Sequence, residues 1–212
     1  MSLDDIAKAT RSELIAAWHY PIPWEDIATA GGVISGNYTI ANNTSQTLGP
    51  KKINGNLTVN GTIKLAGPIW VNGNVTFGVG SSLLVDASTG VNGAVMIADA
   101  TGNTANAGTI YLANNMVIAG NGSPGSYPMV LSTNTGANAL SMNNNATSII
   151  LYAAYGTVSI NNNAVANQVT AFNLNMANNT TVNYVSGLQS QSFSNGPGGS
   201  WVVIPGSYVI VK

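Results

Sequence analysis

The chain contains no cysteine, one histidine, and charged side chains at only 6% of its 212 positions. Each scarcity excludes a chemistry. Without cysteine there is no disulfide framework, thiolate nucleophile, iron–sulfur cluster or cysteine-ligated zinc, and nothing points to a redox compartment. The single histidine, His19, rules out multi-histidine metal sites. Any Ser-His-Asp arrangement would depend on one ring set between Trp18 and Tyr20, ahead of Pro21. Soluble domains carry charge at roughly 25% of positions, so the low charge constrains the surface more than any motif does. Six basic and seven acidic residues give a net charge of −1 and a pI of about 5.6. That balance leaves no electrostatic footprint for phosphate backbones or anionic lipid, and nucleic acid is excluded as a partner. No apolar run approaches the roughly 18 residues that a membrane helix needs. No basic start followed by an apolar stretch and a small-residue cleavage site marks a signal peptide. The opening Met1-Ser2-Leu3 reads as an expression scar, with an export or anchoring segment expected upstream.

What is present is 45% hydrophobic residues, enough for a packed core in one domain. The few charges are unevenly placed. Asp4, Asp5, Lys8, Arg11, Glu13, Glu25, Asp26, Lys51 and Lys52 lie early and Lys212 lies last, leaving only Lys64, Asp86 and Asp99 between Ile53 and Val211. Residues 4–18 combine acids in the first turn with good helix formers and an apolar set of Ile6, Leu14, Ile15 and Trp18, which predicts a helix. Pro21 and Pro23 end it, and Trp24 to Thr29 add a further turn before Gly31-Gly32. The expected organisation is an N-terminal helical cap and linker over 1–32, a β-rich body over 33–200 and capping strands over 201–212.

From Val33 the text changes to Asn, Gly, Ser, Thr and small aliphatics in short alternating runs, which read as strands of three to five residues. These runs repeat. Ile53-Asn-Gly-Asn-Leu-Thr-Val59 recurs 18 residues on as Val71-Asn-Gly-Asn-Val-Thr-Phe77, with a weaker third copy read at Val91-Asn-Gly-Ala-Val-Met-Ile97. A second register follows in Leu140-Ser-Met142, Val158-Ser-Ile160 and Leu174-Asn-Met176, each running into an Asn-rich bend. Leu112 to Met116 carries the same bend one unit earlier, displaced by a Gly/Ser/Pro insertion at Gly120 to Tyr127.

A unit of 16 to 20 residues is too short for a βαβ crossover but suits one coil of an all-β, single-stranded parallel β-helix, in which stacked coils bury their inward aliphatics against one another. Alternation places Ile53, Leu57, Val59, Val71, Val75 and Phe77 inside and Thr58 and Thr76 outside. Asparagine tolerates left-handed backbone at bends, and equivalent asparagines in successive coils can bond to one another. Asn145, Asn163 and Asn179, or their neighbours Asn144, Asn162 and Asn178, are therefore expected to form a buried amide ladder. Open solenoid ends template further pairing and need covers. The helical start with Trp18 and Trp24 is the expected lid at one end, and a hairpin from Ser200 to Val211 the expected cap at the other.

These repeats, with Ala30-Gly-Gly-x-Ile34-Ser-Gly-Asn-Tyr38 before them and Gly196-Pro-Gly-Gly-Ser-Trp201 after, resemble the β-helical regions of exported bacterial surface proteins. The order of parts is similar to PilX-type pilus-assembly proteins over roughly residues 30 to 204. The resemblance implies a surface-exposed structural or adhesive role, and it implies no catalytic residue.

Many polysaccharide-cleaving enzymes share such a fold, and their chemistry needs paired carboxyl groups or a metal. Asp86 and Asp99 are the only acids in the coils, and each reads as a bend cap. Two isolated acids also make a poor calcium site. Gly120 to Gly125 lacks the lysine and following helix of a phosphate loop, and Asn37-Tyr-Thr39, Asn56-Leu-Thr58 and Asn74-Val-Thr76 match the glycosylation pattern through composition alone. No catalytic, cofactor-binding or metal-binding residue is expected. The leading reading is an extracellular or cell-surface structural or adhesion module that contacts glycans or other surface proteins, with Tyr111, Tyr152, Tyr155 and Tyr184 as candidate stacking residues. A carbohydrate-active enzyme fragment and an ice-binding solenoid are the alternatives. In the latter, the Thr58 and Thr76 ladder is expected to break at Ala94.

Overall fold

A computed structural model describes residues 24–100, 106–146 and 150–183. Short parallel strands dominate it and curl into a solenoid-like stack. The first coil comprises β1 (Val33–Ser35), β2 (Tyr38–Ile40) and β3 (Ser45–Leu48). The second holds β4 (Lys51–Asn54), β5 (Leu57–Val59) and β6 (Thr62–Leu65), and the third β7 (Ile69–Asn72), β8 (Val75–Phe77) and β9 (Ser82–Val85). The fourth contains β10 (Ala94–Asp99), β11 (Ile110–Leu112) and β12 (Val117–Ala119). The fifth is described on two sides, β13 (Pro128–Ser132) and β14 (Leu140–Met142). In the sixth and seventh coils, β15 (Ile150–Ile160) and β17 (Gln168–Met176) each run through the first corner to serve two sides. β16 (Val165–Ala166) and β18 (Thr181–Val182) supply the third side.

Strands of neighbouring coils pair in parallel, which defines three faces. Face 1 runs β1-β4-β7-β10-β13-β15-β17, face 2 runs β2-β5-β8-β11-β14-β15-β17, and face 3 runs β3-β6-β9-β12, with β16 and β18 paired farther along. The 18-residue repeat is the coil itself: Leu57 sits beside Val75 and Val59 beside Phe77. The second repeat behaves likewise, with Leu140, Val158 and Leu174 in one column and Met142, Ile160 and Met176 in the next. Leu112 joins that column beside Met142, one coil earlier.

The third copy of the first repeat is a coincidence of composition. Val95 does not stack on Val75; instead Met96 pairs with Ile69 and Ile97 with Trp70, so this segment belongs to face 1. The strand that continues Val75 and Thr76 is Ile110-Tyr111. A loop containing the 3-10 turn Ala87–Thr89 delays the chain by half a coil here, and local similarity cannot register such an insertion.

The expected inward side chains Ile53, Leu57, Val59, Val71, Val75 and Phe77 are all fully buried. Period-2 alternation on a three-residue strand leaves one outward position between two inward ones, so each coil adds aliphatic surface to a continuous column of core. The first corner needs glycine for lack of room. A Cβ on Gly55 would lie 2.5 Å from the carbonyl carbon of Gly36, and one on Gly73 2.7 Å from the carbonyl oxygen of Gly55.

Helix α1 (Trp24–Ala30) forms where a further turn is expected, but it does not lid the stack. It lies on the outer side of face 1, where Trp24 joins Val95 and Ile97 in a second apolar cluster bordered by Ile27, Trp70, Met129 and Leu131. The outward column of face 1 is apolar in the middle coils, so it needs a cover, and Trp24 supplies it. Glu25 fastens the helix to the second coil through an ion pair with Lys52 of 2.6 Å. The expected helix over 4–18, His19 and the hairpin over 200–211 lie outside the described residues.

Candidate interaction surface

The outward column of face 2 is continuous along the described coils. Thr39, Thr58, Thr76, Tyr111, Ser141, Ser159 and Asn175 follow one another coil by coil. At the usual strand spacing they stand about 4.8 Å apart. None is charged, and six carry a small hydroxyl or amide. Tyr111, 47% exposed, is the only large ring among them. The expected break at Ala94 is replaced by this tyrosine, because Ala94 lies on face 1 beside Pro128. The threonine run is therefore three rungs, Thr39 to Thr76, followed by an aromatic.

The other candidate aromatics do not join it. Tyr152 points outward from face 1 beside Leu131, and Tyr155 stands at the first corner of the sixth coil, 65% exposed. Tyr184 lies outside the described residues. The structure thus separates the candidate stacking residues onto a face, a neighbouring face and the corner between them.

Asparagines border face 2 at both corners, for two different reasons. At the first corner the side chain does the bonding. Asn37 Oδ1 accepts from the backbone N–H of Asn56 at 2.9 Å, Asn56 Oδ1 from Asn74 at 2.8 Å, and Asn74 Oδ1 from Thr109 at 3.0 Å. Beside this ladder, Asn72 Nδ2 donates to Asn54 Oδ1 and Trp70 Nε1 donates to Asn72 Oδ1. The glycosylation-like Asn37, Asn56 and Asn74 are thus rungs between coils. At the second corner the feature these asparagines share is the backbone conformation. Asn43, Asn115, Asn145, Asn163 and Asn179 all have φ between 57° and 66°.

The expected buried ladder at Asn145, Asn163 and Asn179 is corrected accordingly. All three are exposed. Asn145 Nδ2 does donate to Asn115 Oδ1 at 2.9 Å, the neighbouring Asn144 N–H to Asn114 Oδ1 at 3.2 Å and Asn161 Nδ2 to Asn143 Oδ1 at 2.8 Å, but among the described residues neither Asn163 nor Asn179 makes a side-chain hydrogen bond to a neighbouring coil. Asparagine recurs there because it adopts left-handed backbone at less cost than other side chains. The Asn37–Asn56–Asn74 ladder was not singled out from the sequence, although the repeated Asn-Gly-Asn was its signal.

Both coil acids are engaged in holding bends. Asp86 caps the 3-10 turn: its Oδ1 accepts from the Ser88 N–H at 3.0 Å and the Ser88 hydroxyl at 2.7 Å. The two Ser88 bonds, supplemented by Thr47 and the Lys64 charge, hold its carboxyl below the usual range, while burial acts in the opposite direction. Asp99 Oδ1 accepts from Thr133 Oγ1 at 2.9 Å, and that hydroxyl oxygen accepts from the Ala100 N–H. Asp86 follows β9 and Asp99 ends β10, so the two acids hold different bends. The Gly120 to Tyr127 insertion packs onto the Asp86 turn, where Asn121 Nδ2 donates to the carbonyls of Asp86 and Gly90 and to Thr89 Oγ1. Among the described residues no group of three or more His, Cys, Asp or Glu side chains is arranged to hold a metal ion, and no helix is long and apolar enough to cross a membrane.

No protein-family model, curated protein or solved structure matches the chain.

Proposed function

We propose that the chain is a single-stranded parallel β-helix, with coils of 16 to 20 residues wherever no loop is inserted, that serves as a non-catalytic structural or adhesion module outside the cell or on its surface. In this reading face 2 contacts uncharged glycans or the surfaces of other proteins. The observation that carries it is the outward column Thr39 to Asn175: a straight row of neutral donors and acceptors, with the Tyr111 ring available to stack on a sugar face. Hydroxyls and amides suit neutral, polyhydroxylated ligands, whereas general acid–base catalysis requires a positioned titrating group within reach of the bond being broken. The column offers no carboxylate, imidazole or amine. The resemblance of residues 30 to 204 to exported surface proteins favours the same reading.

A glycan array probed with wild type and a Tyr111→Ala variant tests this. Weak binding to neutral glycans, reduced about 5-fold or more by the substitution in line with the ~1 kcal/mol of an aromatic contact, is the expected result. Binding unaffected by Tyr111→Ala would remove face 2 from the proposal. Turnover of uronate or neutral polysaccharides that disappeared in Asp86→Asn or Asp99→Asn would replace it with the enzyme reading.

A further inference from the structure

We infer that the seventh coil is a docking edge for the first coil of a second copy of this chain, so that copies associate head to tail. This goes beyond the glycan reading and does not depend on it.

The last described coil leaves large apolar side chains uncovered. Leu174 and Met176 continue the inward columns of Val158 and Ile160, which are fully buried, yet they are 43% and 46% exposed, and Phe172 beside them is 74% exposed. Among the described residues no strand lies beyond β17 and β18, and none precedes β1, β2 and β3. Their outer N–H and C=O groups are the ones a further coil would use.

Natural sheets blunt such edges with charge, lysine above all. Here β1, β2, β3, β17 and β18 contain no charged residue. The charged residues of the strands and their bounding turns fall on the second, third and fourth coils, at Lys51, Lys52, Lys64, Asp86 and Asp99. Nor does α1 protect the first coil. It reaches away from that end, placing Trp24 against Val95 and Ile97 of the fourth coil.

The two ends also match in register. Ala41-Asn-Asn-Thr44 and Ala177-Asn-Asn-Thr180 are the same four residues at the same corner. In both, the third residue is left-handed (φ 59° at Asn43 and 57° at Asn179), and the threonine hydroxyl donates to the alanine carbonyl, at 2.7 and 2.8 Å. Aligning these corners as adjacent coils places Tyr38 over Leu174, Thr39 over Asn175 and Ile40 over Met176, which repeats the contact already made between every pair of neighbouring coils on face 2. Tyr38, hydrogen-bonded to Gln46, and Ile34 and Leu48 form the floor that meets the exposed side chains. A heterologous contact of this kind leaves a free end on each copy and does not close, so it produces linear chains of variable length.

The absence of native cysteine gives a direct test with the full chain. In an Asn42→Cys/Asn178→Cys variant the two thiols of one molecule stand six coils apart, about 29 Å, far outside the roughly 7 Å limit for a disulfide. Across the proposed junction they are one strand step apart. Both positions are exposed and neither is the left-handed residue of its corner, so cysteine fits. Mild oxidation should yield a ladder of covalent trimers and longer species. An Asn42→Cys/Asn162→Cys control, displaced by one coil, should yield none, and the sedimenting mass of the wild type should rise with concentration. A mass that stays monomeric at every concentration, or equal crosslinking of both pairs, would overturn the proposal. Amide exchange protection along β17 in such a monomer would show that residues 184–212 of the same chain cover the edge instead.

Discussion

The two asparagine corners make opposite demands, and substituting one residue in each separates them. Asn163 is exposed and left-handed (φ 58°), without a side-chain bond to its neighbours in the column. Left-handed backbone costs an ordinary L-residue about 1–2 kcal/mol, and asparagine less. Asn163→Ala should therefore lower stability by about 1 kcal/mol and Asn163→Val by more, while Asn163→Gly, which reaches φ > 0 freely, should stay within about 0.5 kcal/mol of wild type. Asn56 is different. Its Oδ1 accepts the Asn74 N–H at 2.8 Å, and its own N–H donates to Asn37 Oδ1. Asn56 is itself exposed, so truncating it hands the Asn74 donor to water and costs about 0.5–1.5 kcal/mol, the net worth of one hydrogen bond, and glycine cannot restore the bond. Urea unfolding at fixed m-value reads both series as midpoint shifts. The discriminating result is glycine: neutral at 163, as damaging as alanine at 56. If Asn163→Gly lost as much as Asn163→Ala, backbone conformation would not be the reason for asparagine at that corner.

Three further outcomes are expected. Leu57→Asp should prevent soluble folding, because it drives an unpaired charge into a fully buried position, whereas Thr58→Asp should fold; equal yields of the two would refute the inward and outward assignment. Trp24→Ala should destabilise by about 3–5 kcal/mol, the range for a buried aromatic, and should expose Val95 and Ile97 to a hydrophobic dye; an unchanged melting temperature would show that α1 is dispensable. Asp86 is held below its ordinary carboxylate value mainly by Ser88, so its contribution to stability is present above about pH 4, the unfolded value, and is lost as pH falls through the lower folded value. Wild type should exceed Asp86→Asn in thermal stability at pH 6, and the difference should shrink below pH 4; a difference independent of pH would contradict the capping role.

Much of the architecture was legible in the sequence because a coil is a local repeat. Where two coils follow without insertion, as at Ile53 to Phe77 or Leu140 to Met176, the 18- and 16-residue spacing is the strand register itself. Inward and outward positions then follow from alternation alone. The 3-10 turn after Asp86 broke that rule. The text Val91-Asn-Gly-Ala continued to look like a repeat, while the loop had already moved it to another face. Only pairing across the stack showed Tyr111, rather than Ala94, as the fourth member of the threonine column.

The candidate site divides in the same way. Composition alone determined that the coils would carry few charges and many amide and hydroxyl groups, since only Lys64, Asp86 and Asp99 are charged between Ile53 and Val211. Where loops intervene, as between Thr76, Tyr111 and Ser141, which of those groups share a face is a matter of stacking between residues 30 or more positions apart, and short-range pattern carries no information about it. Trp24 shows the same limit: the sequence marked it as a cover, but what it covers depended on outward apolar residues of the third, fourth and fifth coils lying side by side. Asn163 and Asn56 look alike as letters, and tertiary structure alone made one a backbone hinge and the other a hydrogen-bonded rung, because φ and the position of the neighbouring coil's N–H are set by the stack and not by the residue.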